Sequence, residues 1–95
     1  PDIAPPRIGV TTIFTGASAQ VVENSVTSLI EQQINGATGI KYISSTSGND
    51  GNSTVNVTFD LERDIDLAAV DIQTRLAGVN GRLPDEVKKT GININ

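Results

Sequence analysis

The sequence predicts an α+β fold of order βαββαβ: a four-stranded, mainly antiparallel sheet with two helices on one face. Three observations carry that expectation. Apolar residues alternate with a period of two in four short segments. They recur at three- and four-residue spacing in two longer ones, and the two kinds of segment follow one another in the order given. The chain has 95 residues, of which 37% are AVILMFWYC, enough for one such core and not for two.

The first strand lies within Arg7 to Phe14, with Ile8, Val10 and Phe14 on one side and Gly9, Thr11 and Ile13 on the other. Gly16 and Ala17 turn the chain, and Ser18 is a fitting N-cap for a helix from Ala19 to Asn35. Val22, Val26, Leu29 and Ile30 make its core stripe, with Gln20, Asn24, Thr27 and Glu31 opposite, and Asn35-Gly36 closes it. Strands at Ile40 to Thr46 and Thr54 to Leu61 flank a loop of turn formers, Ser47 to Asn52, and read as a hairpin. In the second of them Val55, Val57, Phe59 and Leu61 alternate with Thr54, Asn56, Thr58 and Asp60. Asp64 caps a second helix running to about Ala77, and Gly91 to Asn95 is the last strand, with Ile92 and Ile94 inward. This is the ferredoxin-like split βαβ arrangement.

The composition excludes more than it suggests. Seven Lys+Arg against eleven Asp+Glu leave a net charge of −4, the wrong sign for nucleic acid or an anionic membrane surface. The chain contains no Cys and no His, so disulfides, thiolate metal sites, thiol nucleophiles and imidazole general bases are all absent. No Trp, one Tyr and two Phe leave almost nothing for bases to stack on. No catalytic residue, metal ligand or cofactor is expected, and no apolar run is long enough to span a bilayer.

Two surfaces stand out. The sheet face turned away from the helices is expected to carry Thr11, Ser44, Thr54, Asn56, Thr58, Asn93 and Asn95, with Tyr42 among them. Freely solvated surfaces favour Lys and Glu, so a neutral hydroxyl-and-amide face fits a wet cleft or a polar subunit contact. Ordinary antiparallel sheets also expose Thr and Asn to water. The second helix carries two stripes. Ile65, Ala69, Ile72 and Leu76 are expected to face the sheet, while Asp66, Val70, Thr74 and Ala77 form a row ~125° around the axis. Asp71 and Arg75 are expected on the solvated side. The small-residue row suits close approach of another helix, or else widens the core face.

Other patterns are discounted. Asn52-Ser53-Thr54 and Asn56-Val57-Thr58 match the N-glycosylation pattern by chance. The acidic cluster Asp60, Glu62, Asp64 and Asp66 has Arg63 inside it and reads as capping and helix-dipole pairing, not as a cation site.

The segments Pro1 to Pro6, Thr15 to Ala19, Val22 to Asn24, Ile30 to Gly36, Tyr42 to Ser47 and Leu83 to Val87 together resemble one known unit. It is the first porter subdomain of the resistance-nodulation-division (RND) multidrug efflux pumps, hydrophobe/amphiphile class. The resemblance covers essentially the whole chain, so residues 1–95 are expected to form a single porter subdomain, a fragment of a much larger membrane transporter. It implies that the ends match the exit from a first transmembrane helix and the crossover into the next subdomain.

The resemblance further implies a proton-driven pump, homotrimeric in a bacterial inner membrane, with this part in the periplasm. The implied partners are the other porter subdomains, a periplasmic adaptor, an outer-membrane channel, and hydrophobic or amphiphilic drugs. The proton-carrying residues belong to helices this chain lacks. On the same likeness the second helix is the pore helix, with Asp66, Val70, Thr74 and Ala77 toward the trimer axis. Ser44 and Asn56 match positions near an outer access pocket, and Thr11, Thr54, Asn93 and Asn95 positions near a deep one. The chain departs from the pattern at Gly78-Val79-Asn80-Gly81-Arg82, which is more polar and glycine-rich and is expected to let the pore helix fray. The main alternative is a free-standing ferredoxin-like module that binds a small molecule and regulates.

Overall fold

Which side of the sheet is covered follows from which residues alternate inward. The computed structural model describes residues 5–85, 87 and 91–94. Strand β1 (Arg7–Ile13) buries Ile8, Val10 and Thr12, and β3 (Asn52–Phe59) buries Ser53, Val55, Val57 and Phe59. The strands β1 and β3 pair antiparallel, Ile8 opposite Val57 and Val10 opposite Val55, so all the inward side chains share one face. On the outer side of β3 lies β2 (Ile40–Ser47), and on the outer side of β1 lies β4 (Asn93–Ile94), both antiparallel. The order β2-β3-β1-β4 is that of the split βαβ arrangement, as expected.

The helices cover the inward face. The first begins as α1 (Ala19–Val22), passes through a π-helical turn at Glu23–Thr27, and continues as α2 (Ser28–Ile34). Ser18 is its N-cap, its Oγ accepting from the Val21 N–H at 3.3 Å. Helix α3 (Ile65–Ala77) is capped by Asp64, whose Oδ1 accepts from the N–H groups of Asp66 at 2.9 Å and Leu67 at 3.2 Å. Val22, Val26, Ile30 and Ile34 from the first helix and Ala68, Ile72 and Leu76 from α3 close one hydrophobic core with the sheet. Each fully buried Val, Ile or Leu among them contributes about 1.5–3 kcal/mol of transfer free energy.

Three sequence expectations are corrected. Ala68, which the stripe left out, is fully buried, while Ala69 packs against the core only partly buried and Ile65 is 40% exposed. Leu61 does not continue β3: the strand stops at Phe59, the chain turns, and Leu61 is exposed. Thr27, expected on the polar side of the first helix, is completely buried. The hairpin loop is also tighter than expected, since β2 and β3 reach Ser47 and Asn52. Beyond α3, Gly78 is the C-cap, and Val79 and Leu83 return to the core on either side of a 3-10 turn at Asn80–Arg82. The expected last strand narrows to Asn93–Ile94, and Asn95 lies outside the described residues.

Candidate functional site

Among the described residues no helix covers the other face of the sheet, and the register arranges its residues in rows. Tyr42, Thr58 and Arg7 form one row across β2, β3 and β1. Ser44, Asn56 and Gly9 form the next, and Thr46, Thr54, Thr11 and Asn93 the third, reaching β4. Thr11, Ser44, Thr54, Asn56 and Asn93 therefore share one surface, as their alternation predicted. Ser44 and Asn93 are exposed, and Thr11, Thr54 and Asn56 are half-buried between their neighbours. Thr58 is only 3% exposed, flanked across the ladder by the long side chains of Arg7 and Tyr42. Arg7 also adds a positive charge at one end of a face whose sequence pattern reads as nearly uncharged.

Chemically this face offers hydroxyl and amide groups that both donate and accept, with a single aromatic ring. Asn56 is central in it. A Cβ placed on Gly9 would stand 3.4 Å from Asn56 Oδ1, so the amide lies against the side of the sheet that the glycine leaves without a side chain. Among the described residues, no group of three or more His, Cys, Asp or Glu side chains could hold a metal ion.

The second candidate surface is the outer side of α3. Asp66, Val70, Thr74 and Ala77 are all exposed, and they lie roughly opposite Ala68, Ile72 and Leu76 at ~100° per residue. Leu67, at 61% exposed, and Val70, at 58%, are apolar residues standing in the open on this side. Thr74 satisfies its hydroxyl within the helix by donating to the Val70 carbonyl at 2.9 Å. Asp71 and Arg75, expected to be simply solvated, instead fold toward the first helix. Arg75 Nε donates to Asp71 Oδ1 at 3.1 Å, and Arg75 Nη2 donates to the Gly36 carbonyl at 3.0 Å. At the end of α3 nearest β4, Gln73, Leu76, Ala77, Ile92 and Ile94 line an open groove of about 500 Å³.

The residues that sequence reasoning missed lie inside. Thr27 Oγ1 is 2.8 Å from Ser47 Oγ and 2.7 Å from Ser53 Oγ, and Ser47 Oγ donates to Glu23 Oε2 at 2.9 Å. A signal was present. Val22, Val26, Ile30 and Ile34 are spaced by four at every step and all are fully buried. In a regular α-helix those twelve residues turn the stripe ~120° away from the core, whereas one extra residue absorbed by a wide turn leaves ~20°. The strict four-residue spacing therefore announces the π-helical turn, and that turn swings Thr27 inward.

The described residues thus form an α+β module with one open polar sheet face and one exposed helix face. The chain belongs to the AcrB/AcrD/AcrF family, whose model matches residues 1–95. It is 43% identical over 95 residues to the multidrug resistance protein MdtF of Escherichia coli. It is 42% identical over 94 residues to the toluene efflux pump membrane transporter TtgB of Pseudomonas putida, and 40% over 94 residues to the solvent-resistant pump membrane transporter SrpB of the same species. These matches cover 99–100% of the chain but only 9% of each relative. Among the described residues no helix is long and apolar enough to cross a membrane.

Proposed function

We propose that residues 1–95 form the first porter subdomain of a proton-driven RND efflux transporter for hydrophobic and amphiphilic compounds. The observation that carries this reading is the family match over the whole chain, to relatives named as multidrug, toluene and solvent pumps. In this reading the subdomain stands in the periplasm, joined to other porter subdomains of a protein anchored in the inner membrane. Three copies meet with Asp66, Val70, Thr74 and Ala77 of α3 toward a central pore. A periplasmic adaptor and an outer-membrane channel complete the assembly.

The open sheet face then borders the substrate path. Its part is to offer Thr11, Ser44, Thr54, Asn56 and Asn93 as weak, exchangeable hydrogen-bonding groups along a wet wall. Such groups suit transport, because a strong site would hold its cargo: a neutral hydrogen bond contributes only ~0.5–1.5 kcal/mol net. Chemistry on the substrate plays no part in this function.

The test is expression of the full-length gene in Gram-negative cells lacking their own efflux pumps. Resistance to several chemically unrelated amphiphilic compounds should rise, and a protonophore should abolish their efflux. Unchanged susceptibility with the protein present in the inner membrane would overturn the reading.

A further inference from the structure

The buried and half-buried hydroxyls under the hairpin have a direction. A hydroxyl carries one proton, and Ser47 donates its own to Glu23 Oε2. Thr27 must then donate to Ser47, and Ser53 to Thr27, which makes one chain, Ser53 to Thr27 to Ser47 to Glu23. It crosses from the sheet to a stretch of helix wound as a π turn, Glu23–Thr27. Mid-helix π turns are rare and occur frequently at functional sites. A further tie joins the same two parts, since Asn49 Oδ1 at the hairpin tip accepts from the Ala19 N–H at 3.0 Å.

One group beside the chain is unused. Thr12 stands directly opposite Ser53 across the β1–β3 ladder, is 1% exposed, and its Oγ1 has no hydrogen-bond partner. Buried hydroxyls are normally satisfied, so an orphan next to an intact chain calls for a reason.

We propose that this chain is a latch with two settings. In the setting seen here Thr27 holds Ser47 and Ser53, the wide turn is fixed, and Thr12 is left over. In the released setting Thr27 lets go and Thr12 takes its place beside Ser53. The hairpin tip and the helix start, still joined through Asn49 and Ala19, then move as one unit. Thr46 and Thr54, the next residues along β2 and β3, face the open side of the sheet, so release shifts the edge of that surface. Motions of this kind, a change of helix winding against a packed strand pair, fall in the microsecond-to-millisecond range.

The two threonines carry opposite consequences, and hydrogen–deuterium exchange on the full-length protein reads them. Thr27→Val keeps the shape and removes the latch. Exchange should quicken about tenfold over residues 22–28 and 47–53, with α3 unchanged as the internal reference. Thr12→Val removes the orphan from the latched setting and its partner from the released one, so the same amides should exchange several-fold more slowly. Should Thr27→Val fail to fold, Ser47→Ala breaks the same link from the hairpin side and should quicken the same two segments. The proposal is overturned if Thr12→Val quickens exchange as well. It is equally overturned if Thr27→Val or Ser47→Ala changes α3 as much as the hairpin.

Discussion

Val70 and Asp71 are neighbours in the chain that face different surroundings: Val70 stands 58% exposed on the outer side of α3, while the Asp71 carboxylate turns in to Arg75 at 3.1 Å and lies 3.9 Å from Arg63. If three α3 helices meet at an axis, a cysteine at Val70 should crosslink between protomers of the full-length protein far more readily than one at Asp71. The check is non-reducing electrophoresis after mild oxidation. Equal yields at the two positions would mean that a different side of α3 faces the axis.

The described residues close one core, so the excised chain of residues 1–95 is expected to fold and to melt cooperatively by circular dichroism. Val57 is fully buried on β3 between Ile8 and Ile43. Val57→Ala should lower stability by ~1–3 kcal/mol, through lost transfer free energy and the small cavity left behind. A flat thermal trace for the parent chain would refute autonomy; an unchanged denaturation midpoint in the variant would refute the packing.

Two glycines with left-handed backbones separate strain from collision. Gly16 has φ 83° and no atom within 4 Å of an added Cβ, so Gly16→Ala should cost only the backbone term, ~1–2 kcal/mol. Gly51 has φ 91°, its carbonyl accepts from the Phe14 N–H at 2.8 Å, and an added Cβ would run into the Phe14 carbonyl. Gly51→Ala should therefore destabilise by clearly more than Gly16→Ala, because the β1 end must move away from the hairpin. Chemical denaturation of both variants decides it, and equal losses would contradict the close approach.

How far the sequence was legible depends on what each residue answers to. The sheet faces were legible because a period of two admits only two assignments, and Val55 and Val57 choose between them. Ser18 and Asp64 were legible as caps because their oxygens satisfy local amides whatever the tertiary structure. Ala68 was not, since how deeply each of Ala68 and Ala69 is buried depends on how α3 is rotated over the sheet, a tertiary fact. Thr27 was misplaced for a different reason: its hydroxyl is polar by composition but is satisfied inside by Ser47 and Ser53, partners distant in sequence. Of the candidate surfaces, the open sheet face was read correctly for Thr11, Ser44, Thr54, Asn56 and Asn93, although Arg7 at its end was overlooked. On α3, the exposed row was read correctly, but the ion pair that draws Asp71 and Arg75 inward was not, because it depends on the packing of α3 beside α2.

The open sheet face supplies the prediction that reaches furthest into function. Asn56 sits at its centre with Ser44 on one side and the bare backbone of Gly9 on the other. A large ring at Asn56 can lie across Gly9, an arrangement that antiparallel sheets accept well, so Asn56→Trp should fold normally. If this face borders the substrate path, the added bulk should depress export of large compounds more than small ones. Asn56→Ala removes only a replaceable hydrogen bond and should change export by a few-fold at most. The same ring at Val57 points into a filled core and should lower abundance through overpacking, typically by ~1–3 kcal/mol of stability. Drug susceptibility of cells carrying each full-length variant, with membrane abundance measured alongside, separates the cases. Unchanged export of every compound by Asn56→Trp at normal abundance would show that the face is ordinary solvated surface, with the substrate running elsewhere.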